Sequence, residues 1–550
     1  MSIWVRTGSP WVWLSAGMVS LNLVMVFGLL LLIAVRGLGH FWPAAVQSIE
    51  LSDRDASVST LLGNIVDEEK VSAARVRDRG GYVPDGVEII SRYLIKSGNR
   101  DIFGADFVWV NETDVRSRST PRDAVVLERN EWGNFYGFLI NVKQNGKVVA
   151  NGDRAWNVLQ KRIARKTELE AQIHRIEKKE IGKINYFMES IRLDEKRLLL
   201  DGNNDRLPFE NLARDRAALE TRYEKFNVEL SDLYAQVRRD TITVKTVADQ
   251  VFELPIAALV RAFRPNDMSF GEKVVHYGAK VWEFVSEEPR EANTEGGVFP
   301  AIFGTVLLVI LMSVFVTPFG VIAAIYLREY AHQGMLTRII RIAVNNLAGV
   351  PSIVYGVFGL GFFVYFMGGS IDQLFFPEAL PAPTFGTPGI LWSSLTLAIL
   401  TVPVVIVSTE EGLTRIPRAI REGSLALGAT KAETLWRTVL PMATPAMMTG
   451  LILSIARAAG EVAPLMMVGV VKLAPSLPLD GNFPFLHVDR KFMHLGFHIY
   501  DVGFQSPNVE AARPLVYGTA LLLVILIVTL NIAAIRIRNR LREKYNAADA

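Results

Sequence analysis

A chain of 550 residues in which half are hydrophobic is too apolar for a soluble enzyme, yet with 21% charged residues it is too polar to lie wholly in lipid. The expectation is a membrane core joined to one large soluble domain. A net charge of +3 spread along the chain offers no basic patch for nucleic acid, and the absence of cysteine excludes disulfides, thiol catalysis and thiolate metal sites.

A bilayer core of about 30 Å needs roughly 20 helical residues. Six segments qualify, near Trp11–Val35, Val298–Leu327, Ile342–Phe366, Ile390–Thr409, Met442–Val470 and Pro514–Ile535. The first is longer than the apolar part of a signal peptide and lacks a small-x-small cleavage site, so it reads as a retained anchor. Basic residues set the orientation. Arg328, Arg338 and Arg341 lie between spans two and three, Arg415, Arg418, Arg421, Lys431 and Arg437 between four and five, and Arg536, Arg538, Arg540, Arg542 and Lys544 after span six. These loops are expected in the cytoplasm, with both termini, whereas residues 367–389 carry no Lys or Arg and face outward. The expected division is residues 1–36 as tail and first span, 37–297 as a periplasmic domain, 298–541 as a five-helix core and 542–550 as a cytoplasmic tail.

Residues 37–297 read as α+β. Alternation in Asp106–Val110 and Ala124–Glu128 and the Asn145-Gly146 pair between Phe138–Val142 and Lys147–Ala150 predict strands and a hairpin. From about 155 to 240 the pattern is helical. Leu219, Tyr223, Phe226, Leu230, Leu233 and Val237 form a heptad seam, and Leu169, Ile173, Ile176, Ile184, Met188 and Ile191 a looser partner stripe before the turn Asp201–Asp205, which predicts a long antiparallel helical hairpin. Its seam is used up by its own partner helix and reads as a spacer, while its polar faces are left open for a binding protein or sister subunit. Thr241–Leu254 is expected to return as a strand pair and Pro255–Phe263 as a short helix. His174 and His276 stand alone, with no metal-ligand spacing and no catalytic constellation around them.

Between spans four and five, residues about 410–441 hold the most informative stretch, EGSLALGATKAETLWRTVLP at Glu422–Pro441. Pro417–Leu427 predicts a helix that Gly428 ends in a left-handed cap, Thr430 and Glu433 form a capping box that starts a second helix, and Pro441 is expected to stop it. The order of Glu422, the small pair Gly423 and Ser424, Gly428, and Leu440-Pro441 resembles the EAA loop of ABC-importer permeases, through which the membrane subunit grips its ATPase. Gly423 and Ser424 replace the usual two alanines, and Thr438 stands where isoleucine is usual.

Span five carries ARAAGEVAP, with Arg457 and Glu461 four residues apart. Each charge costs about 2.5–3.5 kcal/mol near a bilayer centre on insertion scales, so both should face protein or water. Two readings stand side by side: a self-neutralising salt bridge that fixes packing, or a pathway in which Arg457 meets an anion and Glu461 keeps it from binding too tightly.

ARAAGEVAP, GVPSIVYGVFGLG at Gly349–Gly361 and IYLREYA at Ile325–Ala331 resemble segments of the PstA-type permeases of phosphate-specific ABC importers, with Val462 where threonine is familiar. This resemblance covers the spans and not residues 37–297, which are similar only to the enlarged members of the family. It implies a six-helix, type I permease fold in a bacterial inner membrane, translocation of inorganic phosphate with Arg457 and Glu461 as pathway charges, and as partners a PstC-like second permease, an ABC ATPase dimer, a periplasmic phosphate-binding protein and membrane lipid. No G-x-x-x-x-G-K-[ST] occurs in the chain, so no bound cofactor is expected and ATP belongs to the partner ATPase. The alternatives are another oxyanion (molybdate, sulfate or phosphonate) and a membrane receptor that senses through the periplasmic domain.

Overall fold

The computed structural model describes residues 9–52, 58–78, 82–84, 86–202, 205–506 and 509–546. Asn203 and Asn204 of the predicted turn, the tail before Ser9 and residues 547–550 lie outside the described residues. The chain separates into two compact units, one of residues 1–40, 298–509 and 513–550, the other of residues 41–297 with 510–512.

Helix α1 (Ser9–Gly39) opens the first unit and exposes apolar side chains, Val24 and Leu31 among them, all along its length, as a helix solvated by lipid does. Among its described residues the second unit carries two larger antiparallel sheets, besides a two-residue pairing of Pro289–Arg290 with Glu295–Gly296. β1 (Gln47–Ser52), β2 (Val58–Ser72), β3 (Ile89–Lys96), β4 (Phe107–Asn111) and β5 (Val115–Ser119) make an antiparallel sheet in the order β4-β3-β2-β1-β5. β6 (Ala124–Arg129), β7 (Phe135–Gln144), β8 (Lys147–Asn151), β9 (Asp240–Lys245), β10 (Val251–Pro255) and β11 (Leu259–Phe263) make a second, in the order β10-β9-β7-β6-β11 with β8 on β7. Asn145 and Gly146 take φ of 48° and 76° between β7 and β8, the left-handed pair that a two-residue hairpin turn requires. β6 is buried along its whole length, so its alternating sequence is covered on both faces.

The helical hairpin comprises α2 (Asp153–Arg175), continued by a π-type turn at Ile176–Ile181 into α3 (Gly182–Leu200), and α4 (Arg206–Arg238). Leu169, Ile173 and Ile176 close on Leu230, Leu233 and Val237, the two stripes that the heptad spacing defines. The base of α2 does more than lead into the hairpin. Ala155, Leu159 and Ile163 are buried against Ile242, Val244 and Leu259 of the second sheet.

The expected helix at Pro255–Phe263 is absent. After a single 3₁₀ turn at Ile256–Ala258, Leu259–Phe263 pairs antiparallel with β6, because Leu259 and Ala262 are buried in the sheet core while β6 offers an open edge. The helix that follows is α5 (Phe270–Ser286), started by a complete Ser269/Glu272 capping box. Its Lys280 lies 2.8 Å from Glu128 of β6, and Glu283 receives Arg261 of β11 at 3.0 Å and Arg290 at 2.5 Å. Burial alone would raise the pKa of Glu128, but the charges of Lys280, Arg261 and Arg290 outweigh it and hold the value at about 2.

The first unit resumes with α6 (Phe299–Ile325), extended by a π-type segment at Tyr326–Tyr330, and α7 (Met335–Leu347). The third span is Ser352–Phe375 rather than Ile342–Phe366. Gly349-Val350-Pro351 parts the two helices, since Pro351 disfavours helical geometry at the residue before it. It begins as α8 (Ser352–Phe358) and continues through a π-type segment. α9 (Ile390–Arg415) is the central helix, packed against both α6 and the later α12. Leu308, Met312, Leu397, Leu400 and Val405 form the core there. Close approach depends on two glycines: a Cβ on Gly320 would stand 2.6 Å from Val405, and one on Gly450 2.7 Å from Ser408. Of the hydroxyls buried on α9, Thr396 bonds back along its own helix to the Trp392 carbonyl and Thr401 to that of Leu397.

Two short helices, α10 (Arg418–Ala426) and α11 (Lys431–Thr434), lead into α12 (Leu440–Gly460). Pro441 does not stop the second short helix. A π-type turn at Leu435–Val439 joins α11 to α12, the ladder slips so that the Leu440 N–H reaches the Leu435 carbonyl, and Pro441 falls in the first turn of α12, where its missing donor is tolerated. Span five therefore runs from Lys431 to Gly460 and not to Val470. Beyond it come a turn at Val462–Pro464, α13 (Leu465–Val468), α14 (Leu495–Tyr500) and the last span in α15 (Val509–Asn546).

Candidate functional site

The docking element is built by local signals. Thr430 caps α11 by accepting from the Glu433 N–H, while the Glu433 carboxylate accepts from the Thr430 N–H at 2.9 Å. Gly428 has φ +88°, and its N–H reaches the Leu425 carbonyl at 3.0 Å. No atom lies within 4 Å of where a Cβ on Gly428 would sit, so the glycine answers to backbone geometry and not to crowding. Ser424 and Thr434 hydroxyls meet at 2.9 Å and tie α10 to α11. The inner face, with Leu413, Ile416, Leu435 and Val439, is buried. The outer face is not: Glu422 and Gly423 are exposed, Leu427 is 90% exposed and Trp436 75%. Leu440 and Pro441 stand apart from this tip, half-buried at the start of α12.

Arg457 and Glu461 come together, Nε to Oε1 at 3.6 Å, both partly buried. They are not on one helix. α12 ends at Gly460, and Glu461 takes an extended backbone with φ −78° and ψ 134°. Gly460 has little helix propensity and Pro464 forbids continuation two residues beyond Val462, which is why the run ends there.

A cavity of about 440 Å³ opens among α7, α9 and α12, lined by Asn345, Ser408, Glu411, Arg415, Thr449 and Leu453 among others. Thr449, Leu453 and Arg457 follow at steps of four along α12, so Arg457 continues the stripe that lines the cavity one turn further on. Arg415 at its other side is exposed, with Glu411 at 3.8 Å. Sequence reasoning left this cavity out, because it depends on three helices brought together from residues 345 to 453. It also left out a polar cluster where α6 ends. Glu329 pairs with Arg421 of α10 at 3.0 Å, and Arg341 of α7 with Glu410 of α9 at 3.3 Å. The charges in IYLREYA, close to the end of an apolar span, were the available signal.

The family described as "Binding-protein-dependent transport system inner membrane component" matches residues 316–546, which belong to the first unit apart from residues 510–512. Phosphate transport system permease protein PstA 1 of Mycobacterium tuberculosis (strain CDC 1551 / Oshkosh) is 36% identical over 247 residues, 44% of this chain and 71% of that protein. Probable phosphate transport system permease protein PstA of Methanocaldococcus jannaschii is 30% identical over 237 residues, 42% of this chain and 73% of that one. Phosphate transport system permease protein PstC of Xylella fastidiosa (strain Temecula1 / ATCC 700964) is 31% identical over 209 residues, 36% of this chain and 64% of that protein. With six apolar spans and this degree of identity to PstA proteins over most of their length, the chain belongs to the PstA-type phosphate transport system permeases, within the wider family of binding-protein-dependent transport system inner membrane components.

Proposed function

We propose that this chain is one half of the translocation path of an ATP-driven importer of inorganic phosphate in a bacterial inner membrane. The carrying observation is the position of Arg457, which extends the stripe that lines the cavity among α7, α9 and α12. In this reading Arg457 offers its guanidinium fork to the oxyanion, and Glu461 competes for the same fork, so that the anion is held briefly and released. The second half of the path is a PstC-like permease, a relationship consistent with the likeness of this chain to PstC as well as PstA. An ATPase dimer docks on the tip formed by Leu425, Leu427 and Trp436, whose exposed apolar side chains suit a groove on a partner. A periplasmic binding protein delivers phosphate, the inserted α+β domain lies on the periplasmic side and both termini lie in the cytoplasm, as the distribution of Arg and Lys around the short loops supports.

The test is reconstitution of this chain with its second permease and ATPase in vesicles, with binding protein added and ATP-dependent uptake of labelled phosphate measured against sulfate and molybdate. Arg457→Ala, at unchanged protein level and assembly, is expected to lower phosphate uptake by about a hundredfold, as for loss of a charge-assisted contact worth roughly 2–3 kcal/mol. Uptake that persists in Arg457→Ala refutes the pathway role, and assembly with sulfate- or molybdate-selective uptake refutes the cargo.

A further inference from the structure

Two helices of the docking element and the amphipathic α7 converge on the five residues Tyr326–Tyr330 that end α6, and two of their side chains also bridge to α9. The last carbonyls of a helix lack partners within it and attract cations. Here the cations come from other segments. The Glu329 carboxylate, only 12% exposed, lies 3.0 Å from Arg421 of α10, and Arg421 Nη2 also donates to the Leu413 carbonyl near the end of α9 at 2.7 Å. The Glu329 backbone carbonyl accepts from Lys431, the first residue of α11, whose ammonium stands 4.7 Å from the Tyr330 ring centroid. Arg341 of α7 donates to the Leu327 carbonyl at 3.1 Å and to Glu410 of α9 at 3.3 Å.

Attachment of α10 and α11 to the spans does not require these charges, because Leu413, Ile416, Leu435 and Val439 already close an apolar cluster beneath them. A partly buried ion pair adds little net stability, but separating it strands a desolvated charge. Arg421 Nη2 also lies between a carboxylate on one segment and a carbonyl on another, so both contacts hold only at one position of the guanidinium. Slippage of α10 by an ångström or two past the end of α6 would therefore be penalised twice, whereas movement of the two together costs nothing at this junction. Lys431 repeats the connection from the second docking helix.

We infer that Glu329 is a positioning residue for energy coupling: through Arg421 it makes the docking element and the end of α6 move as one body, without itself contributing to ATPase attachment. The inference rests on the reading of residues 410–441 as the docking element. The experiment uses the reconstituted complex and two readouts, ATPase retained on the permease and labelled phosphate moved per ATP hydrolysed. Glu329→Gln is expected to keep ATPase retention within about twofold of the parent, as for a change that leaves the outer face intact, and to lower phosphate per ATP about fivefold or more, the lower end of ordinary coupling energies. Glu329→Arg combined with Arg421→Glu is expected to recover most of that ratio, while each reversal alone does not. An unchanged ratio in Glu329→Gln overturns the inference, as does a double reversal no better than its singles. Loss of ATPase from Glu329→Gln overturns it too, since Glu329 would then serve attachment. If Glu329→Gln fails to accumulate, Lys431→Met, a change at an exposed side chain, carries the same two expectations. Leu427→Asp tests the underlying reading separately: an ATPase that stays bound to that variant refutes the docking role of the tip, whatever Glu329 does.

Discussion

Substitutions at Gly428 separate a backbone requirement from a steric one. The residue sits at φ +88° with open space around its Cβ direction, so any side chain there is charged only for the left-handed backbone. For an ordinary L residue that cost is about 1–2 kcal/mol, less for asparagine and more for a β-branched residue. At 1.4 kcal/mol per tenfold, Gly428→Ala should reduce the population of the intact α10–α11 turn by a factor of about 5–30 relative to unwound forms. Gly423 provides the control. It lies inside α10 with no positive φ and nothing within 4 Å of a Cβ, so Gly423→Ala should strengthen the helix by about 0.5–1 kcal/mol. The assay is titration of purified ATPase onto the solubilised permease pair. Apparent affinity is expected to fall in the order Gly, Asn, Ala, Val at position 428 and to hold or improve in Gly423→Ala. Equal affinity across the 428 series would show that the cap does not set the docking surface. Asparagine as damaging as valine would place the partner, not the backbone, in control of this position.

Two further predictions concern the second unit. The Glu128 carboxylate has its pKa lowered from an ordinary 4.5 to about 2, so it contributes stability that is complete above pH 4.5 and is lost as pH falls toward 2. The shift corresponds to about 3 kcal/mol, and about half should remain near pH 3.3. Glu128→Gln should therefore melt well below the parent at pH 7, and the gap should close between pH 5 and pH 2.5; a gap that does not vary with pH would refute the ionic origin. The hairpin can be shortened only above its base. Replacing residues 177–229 by a short Gly/Ser linker keeps Leu169, Ile173 and Ile176 opposite Leu230, Leu233 and Val237 and should leave protease resistance of the sheets unchanged. Removing Ala155–Asp240 takes Ala155, Leu159 and Ile163 out of the sheet core and should abolish it. Equal resistance of the two deletions would contradict the packing of α2 on the sheet.

What could be read from the residues was local. The Thr430/Glu433 capping box, the left-handed glycine and the Asn145-Gly146 turn each involve groups a few residues apart, whose preferences operate before any tertiary contact forms. The heptad stripes of the hairpin were legible for a similar reason, since a seven-residue repeat specifies its partner face. Misreadings fell where a distant partner decides. Leu259–Phe263 became a strand because β6, 130 residues earlier in sequence, lacked a neighbour on that edge, and Glu329 meets Arg421 across two spans.

The end of α12 shows how such a misreading bears on mechanism. On a continuous helix, Arg457 and Glu461 would be a rigid pair whose separation is set by helical geometry, the arrangement best suited to locking neighbours together. With the helix ended at Gly460, the acid instead hangs on an extended residue beside the Val462–Pro464 turn, its N–H tied back to the Ala458 carbonyl at 3.3 Å. Rotation about that one residue separates carboxylate from guanidinium while every hydrogen bond of α12 up to Gly460 stays made. A salt bridge needed for packing alone gains nothing from such a joint. In the proposed pathway role, where Arg457 alternates between the Glu461 carboxylate and a passing oxyanion, such a joint lets the carboxylate give way to the anion.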